Sequence, residues 1–209
     1  MRRPRVTPEA QIRRSIRRSF AVTTLFAAYK AGMGWYLRSP WIGSMAAYYL
    51  VLGLIRLLLL QRVGGDLLSG WRRFRLCGML LLVLTAALGA MSAIALLEGE
   101  AIRYPGHLIY GAAAYTFYTL VMALVNIQRW RKWKNPVYNA DKLLSLAAGL
   151  VSLFFLQLSL LAAFGNGAPW QLLMNVATGA VVFLLVLGMA VYMMKKGTRG
   201  VRECKKRDA

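Results

Sequence analysis

Six long runs of the chain, at 20–37, 41–60, 76–97, 105–127, 143–164 and 170–194, carry almost no charge. A helix rises about 1.5 Å per residue, so each run is long enough to cross a hydrocarbon core about 30 Å thick. Lipid offers no partners to backbone N–H and C=O groups, so a run of this length inside it must satisfy them internally, as a helix. The fold class these runs predict is all-α: a polytopic membrane protein with six transmembrane helices. Composition points the same way. Hydrophobic residues make up 58% of the chain and the mean hydropathy is +0.49, against about 45–50% apolar content in ordinary globular chains. A very apolar soluble helical protein is the lesser alternative.

The formal net charge is +20, which in a soluble chain would suggest nucleic acid. Its distribution argues otherwise. Of 27 Lys and Arg, 23 fall in 1–19, 61–75, 128–142 and 195–209. Those segments are the two termini and alternate connections, the pattern of the positive-inside rule for an even number of spans. The expected placement is therefore multi-pass in the cell membrane with both termini cytoplasmic. The basic segments would face anionic lipid of the cytoplasmic leaflet, each residue adding on the order of 1 kcal/mol. Nucleic acid is not an expected partner. The segment "QRWRKWKNP" (128–136) mixes Trp with basic residues and could stack bases, but at a helix edge the same mixture forms an interfacial belt. Cys77 and Cys204 both fall on the reducing side, which argues against a disulfide.

The chain divides into a basic N-terminal segment (1–19), a six-helix transmembrane domain (20–194) and a basic cytoplasmic tail (195–209). In the first segment, Thr7, Pro8 and Glu9 form a helix start. Ile12, Ile16 and Phe20 then recur every four residues among arginines. Two readings stand: a short amphipathic helix on the inner membrane surface, or a disordered basic arm. The first apolar run is read as a retained span, because it contains Lys30 and lacks a small-x-small cleavage site.

Three segments share one plan: 39–62, 103–129 and 168–196. Each opens with Pro beside an aromatic residue, continues with small residues and ends in basic ones. Tyr48 precedes Arg62 by the same interval as Tyr115 precedes Arg129. The runs before them are rich in Ala and Gly, which lets helices approach closely. The expected arrangement is three tandem hairpins, with duplication and chance resemblance both open. Three hairpins resemble the mitochondrial carriers in plan, but no odd-numbered run has the internal proline of the carrier motif. The stretches "YPGHLIYGAAAYTFYTL" (104–120) and "VYNADKLLSLAAGLVSL" (137–153) resemble a group of small six-helix bacterial membrane proteins. That resemblance implies a bacterial inner membrane and carries no activity.

The inventory of reactive groups excludes several functions. His107 is the one histidine, so paired axial ligation of haem and a His-rich metal site are out. No run has an acidic residue in its middle: Glu98 and Glu100 lie in an outer connection, Asp66 in an inner one, and Asp141 at an inner helix end. Proton relays and membrane proteases need such groups. The chain is expected to have no catalytic residues, metal site or cofactor, and not to be an enzyme. The polar residues within the runs are Lys30, Arg56, Ser92, Asn126, Gln157 and Asn175. Arg56 lies about 9 Å from the inner surface by helical rise, near enough to snorkel to it. Lys30 is near mid-bilayer, where a lysine costs about 2.5–3.5 kcal/mol and normally faces the bundle interior. An interior role and an outward-snorkelling one both stand for it.

The expected function is a channel or transporter for a small anionic or zwitterionic solute. The first, third and fifth helices would line its path, with Lys30, Gln157 and Ser92 as polar contacts and Arg56 at the inner mouth. The alternative is a non-transporting membrane module that assembles with a partner protein or anionic lipid. A homo-oligomer is a further candidate partner.

Overall fold

The structure is a computed structural model that describes residues 8–61, 63–98, 106–130, 135–164 and 169–207. Six helices follow one another along the chain: α1 (Pro8–Tyr36), α2 (Pro40–Leu60), α3 (Leu67–Glu98), α4 (Gly106–Trp130), α5 (Pro136–Phe164) and α6 (Pro169–Arg207). Proline stands at the first position of α1, α2, α5 and α6, where its missing N–H has no intrahelical partner to lose. Four stretches are long and apolar enough to cross a membrane: Ile42–Leu60, Leu67–Ala90, Pro136–Phe164 and Trp170–Arg207. The expected spans 20–37 and 105–127, which fall on α1 and α4, do not reach that standard among the described residues. α4 keeps a shorter apolar stretch, Ile109–Ala123, and α1 carries Thr23, Thr24 and Lys30 within its run. Large apolar side chains stand exposed along α2, α4 and α6, including Leu54, Phe117, Leu173, Val181 and Leu184. An apolar surface of this extent suits lipid and is rare on a soluble monomer.

The helices follow the tandem plan only in part. α1 packs along α2 and α5 against α6 as expected, but α3 packs most broadly with α6 and α4 with α5, while α5 also touches α1, α2 and α3. The reason lies in where side chains vanish. Gly78 of α3 and Gly197 of α6 each face the other helix's backbone. A Cβ on Gly78 would come 2.9 Å from Met193 Cβ and 3.0 Å from the Ala190 carbonyl oxygen. One on Gly197 would meet the Arg75 backbone at 3.0 Å. Close backbone approach of this kind supplies helix association where lipid removes the hydrophobic drive.

The chain reverses between α1 and α2 without a loop. The Ser39 N–H donates to the Gly34 carbonyl (3.1 Å) and the Arg38 N–H to the Trp35 carbonyl (3.3 Å). These are the two bonds of a Schellman stop, with Arg38 at φ 49° in the left-handed position that glycine usually occupies. Gly34 is needed one turn earlier, since a Cβ there would sit 2.9 Å from the Gly43 N.

Neither basic end forms a separate element. α1 runs unbroken from Pro8, and Ile12 and Ile16 are buried in the main core with Leu59, Val63 and Phe74. α6 continues unbroken to Arg207, with Gly197 and Gly200 against Arg75 and Trp71 of α3. The periodicity at Ile12, Ile16 and Phe20 therefore marks a protein-facing stripe of the first helix. Several sequence features fall outside the described residues: residues 1–7 and 208–209, the connections 99–105, 131–134 and 165–168, and the side chains of Glu98, His107 and Asn126.

Candidate functional site

Where α1, α2, α4 and α5 meet at the basic end, they enclose a cavity of about 400 Å³. α1 contributes Arg14, Ser15, Arg18, Ser19, Val22 and Thr23; the pairs 14/18 and 15/19 are each one turn apart and share a face. α2 contributes Arg56, α4 contributes Tyr118, Thr119 and Met122, and α5 contributes Tyr138, Lys142 and Ser145. The position of the α5 residues is set by a cap. Asn135 Oδ1 accepts the N–H groups of Val137 (2.9 Å) and Tyr138 (3.3 Å), and Pro136 opens the helix. The following turns then deliver Lys142 and Ser145 to the wall and Asp141 to the cluster behind it.

Behind the cavity lies a polar cluster that ties three helices together. Arg56 is 3% exposed and Asp141 is fully buried. Arg56 Nη1 donates to the Ser19 carbonyl (2.6 Å) and Nη2 to Ser145 Oγ (3.1 Å), while its Nε lies 4.0 Å from Asp141 Oδ1. Lys142 Nζ donates to Ser15 Oγ (2.8 Å) and to Asp141 Oδ2 (3.2 Å), and Ser19 Oγ donates to the same oxygen (3.4 Å). The Lys142 ammonium also lies 4.9 Å from the centre of the Tyr138 ring. A buried carboxylate shared by two cations has neighbours that replace the water it lost.

The expectation that Arg56 snorkels to the surface does not hold. Its guanidinium is directed inward by the Ser19 carbonyl, Ser145 and Asp141, partners that are remote in sequence. Asp141 lies near the start of α5, as expected, and is the most deeply buried charge at this end. Sequence reasoning missed Arg14, Arg18, Asp141 and Lys142 as a group with Arg56. The available signal was the pair Asp141–Lys142 at the start of a strongly apolar run, with Ser145 one turn on.

The four residues expected to share a path are dispersed. Lys30 is buried on α1 with Nζ 5.4 Å from the Phe26 ring centre. Phe26 stacks on Tyr115 (centroids 3.6 Å apart, planes 1° apart) and meets Tyr49 edge-on (4.9 Å). This aromatic layer stands on α1 between Thr23, on the cavity wall, and Lys30. Contacts at Gly34–Gly43 and Thr24–Gly53 fix the antiparallel register of α1 and α2, and by that register Lys30 lies roughly 14 Å along the axis from Arg56. Gln157 Nε2 donates to Thr178 Oγ1 on α6 (3.1 Å), a clasp between two helices. Ser92 lines a second cavity of about 450 Å³ between α3, α5 and α6, walled mainly by Val151, Phe154, Phe183 and Val186. The basic cavity is thus lined by the first, second, fourth and fifth helices, whereas the first, third and fifth were expected. No group of three or more potential metal-ligating side chains occurs among the described residues.

The chain matches no described protein family, no curated protein and no solved structure.

Proposed function

We propose that this chain is a six-span membrane protein, with both termini cytoplasmic, that binds a small anionic or zwitterionic solute in its basic cavity and moves it across the membrane. The observation that supports this reading is the composition of the cavity. Arg14, Arg18, Arg56 and Lys142 converge on about 400 Å³ of space, a volume within the range of small-molecule sites. Among the described residues, the carboxylate that meets these cations is Asp141, on Arg56 and Lys142. Hydroxyls of Ser15, Ser19, Thr119 and Ser145 add hydrogen-bonding capacity. Arg56 and Lys142 are held in place before any ligand arrives, which lowers the ordering cost of binding. The path on the far side would pass the aromatic layer of Phe26, Tyr49 and Tyr115, and Lys30 beyond it.

A second reading, a non-transporting module that engages an acidic partner protein or anionic lipid, is supported by α6. By helical rise its 39 residues extend about 58 Å, nearly twice a hydrocarbon core of about 30 Å. Lys195, Arg199, Arg202 and Lys206 are exposed and follow one another at helical spacing on the side opposite Gly197 and Gly200. Reconstitution separates the two. Purified protein in liposomes is assayed for flux of a panel of small anions, with Arg18→Gln as the variant. Flux that falls in the variant supports transport. Anion-dependent stabilisation with no flux for any member leaves the module.

A further inference from the structure

Resting on that anion-binding reading, we infer that the cavity takes a phosphate monoester carried on an organic body, in preference to a carboxylate. Among the described residues, four cations border the space and one carboxylate meets two of them, so the formal charges there sum to three positive. A monocarboxylate would balance one of these. A phosphate monoester carries close to two negative charges at neutral pH and three acceptor oxygens. The donors suit that geometry. Arg14 and Arg18 bring planar guanidinium forks, which match phosphate oxygens in pairs. Lys142 adds a buried ammonium on the opposite wall. The space also exceeds what phosphate alone fills, since a water-sized volume is about 30 Å³. Ile12, Val22 and Met122 form apolar wall around the remainder, so the ligand has a carbon body beside its phosphate. A phosphatidic-acid headgroup and a soluble phosphorylated metabolite share this chemistry, and the cavity's place at the basic end of the bundle suits either.

The test uses the full chain in a neutral maltoside detergent at constant ionic strength and pH 7.5. Its thermal unfolding midpoint is followed against glycerol 3-phosphate, glycerate, short-chain phosphatidic acid and short-chain phosphatidylcholine. A ligand of the folded state raises the midpoint saturably, in proportion to ln(1 + [L]/Kd). The expected result is saturable stabilisation by glycerol 3-phosphate, phosphatidic acid or both, with glycerate and phosphatidylcholine inert over the same range. Stabilisation by phosphatidic acid alone assigns the lipid as source, and stabilisation by glycerol 3-phosphate assigns a soluble ligand. Arg18→Gln, at an exposed position, should weaken the apparent affinity about tenfold, and Lys142→Gln should do likewise. Arg199→Gln, outside the cavity, should leave it unchanged. Equal stabilisation by glycerate and glycerol 3-phosphate would overturn the phosphate preference and leave the anion reading standing. An equal loss in Arg199→Gln would reduce the effect to diffuse charge and overturn both, as would the absence of stabilisation by every anion.

Discussion

Two seams of the molecule solve the problem of holding helices together in opposite ways. Between α3 and α6, glycines remove side chains until one backbone rests on the other, as at Gly78 against Ala190 and Met193. Between α1, α2 and α5, side chains reach across, and Arg56, Asp141, Lys142, Ser15, Ser19 and Ser145 form a charged cluster. The first seam depends on shape and is indifferent to charge. The second depends on charge balance and keeps an adjoining space open. The space beside the first seam is walled mainly by Val151, Phe154, Phe183 and Val186, whereas the space beside the second is lined by cations and hydroxyls.

The largest effect should come from unbalancing the charged seam. Asp141→Ala leaves Arg56 and Lys142 buried without their counter-charge, and should cost about 3–5 kcal/mol of stability in chemical unfolding from detergent. The double variant Arg56→Met, Asp141→Leu removes both members of the Arg56–Asp141 pair and should recover much of that loss. A double variant as unstable as Asp141→Ala would show that the cluster is held by shape, like its counterpart, and erase the contrast.

A smaller effect is expected at the glycine seam. Gly78→Val places atoms where the Ala190 carbonyl and Met193 already stand, an overpacking cost of about 1–3 kcal/mol. Gly188 sits on the same helix as Ala190 but has nothing within 4 Å of a Cβ position. Gly188→Ala should therefore be neutral or gain up to about 1 kcal/mol from helix propensity. Unfolding midpoints of the two variants sharpen the distinction, and equal destabilisation would refute the seam.

The smallest effect, on ligand response, belongs to Lys30 and Gln157. Lys30→Met relieves an insertion cost of at most about 2.5–3.5 kcal/mol and removes the contact with Phe26. Gln157→Leu gives up one interhelical hydrogen bond to Thr178, about 0.6 kcal/mol on average in such settings. Neither residue borders the basic cavity, so stabilisation by an anion should be unchanged in both. A response abolished by Lys30→Met would extend the site past the aromatic layer to mid-helix.

The helices themselves were legible because they are local. Long uncharged runs between basic segments predict helices near all six observed positions, and Pro at a run's start marks the first turn in two of them, α2 and α6. The stop at Arg38 was less legible, since the left-handed position carries arginine where glycine is usual. Pairing was not legible. Repeated hairpin-like segments suggested neighbours along the chain, yet the pairing of α3 with α6 and of α4 with α5 depends on which faces lack side chains once several helices compete. The periodicity at Ile12, Ile16 and Phe20 left a surface helix and a disordered arm both open, and the structure buries Ile12 and Ile16 against protein; an apolar stripe has the same spacing whether lipid or protein covers it.

By itself, the sequence determined the helical class, the number and order of the long apolar runs, the alternation of basic and neutral segments, and the shortage of reactive groups. These follow from backbone satisfaction in an apolar medium and from the cost of burying charge, both readable residue by residue. Only the tertiary structure decided that Arg56 is held inward, that Asp141 is its partner, and that Arg14, Arg18 and Lys142 join it around one cavity. Arg56 and Asp141 are 85 positions apart, and Ser19 and Asp141 are 122 apart. Coulombic and hydrogen-bonding energies depend on distance in space, and the folded path of the chain alone sets that distance.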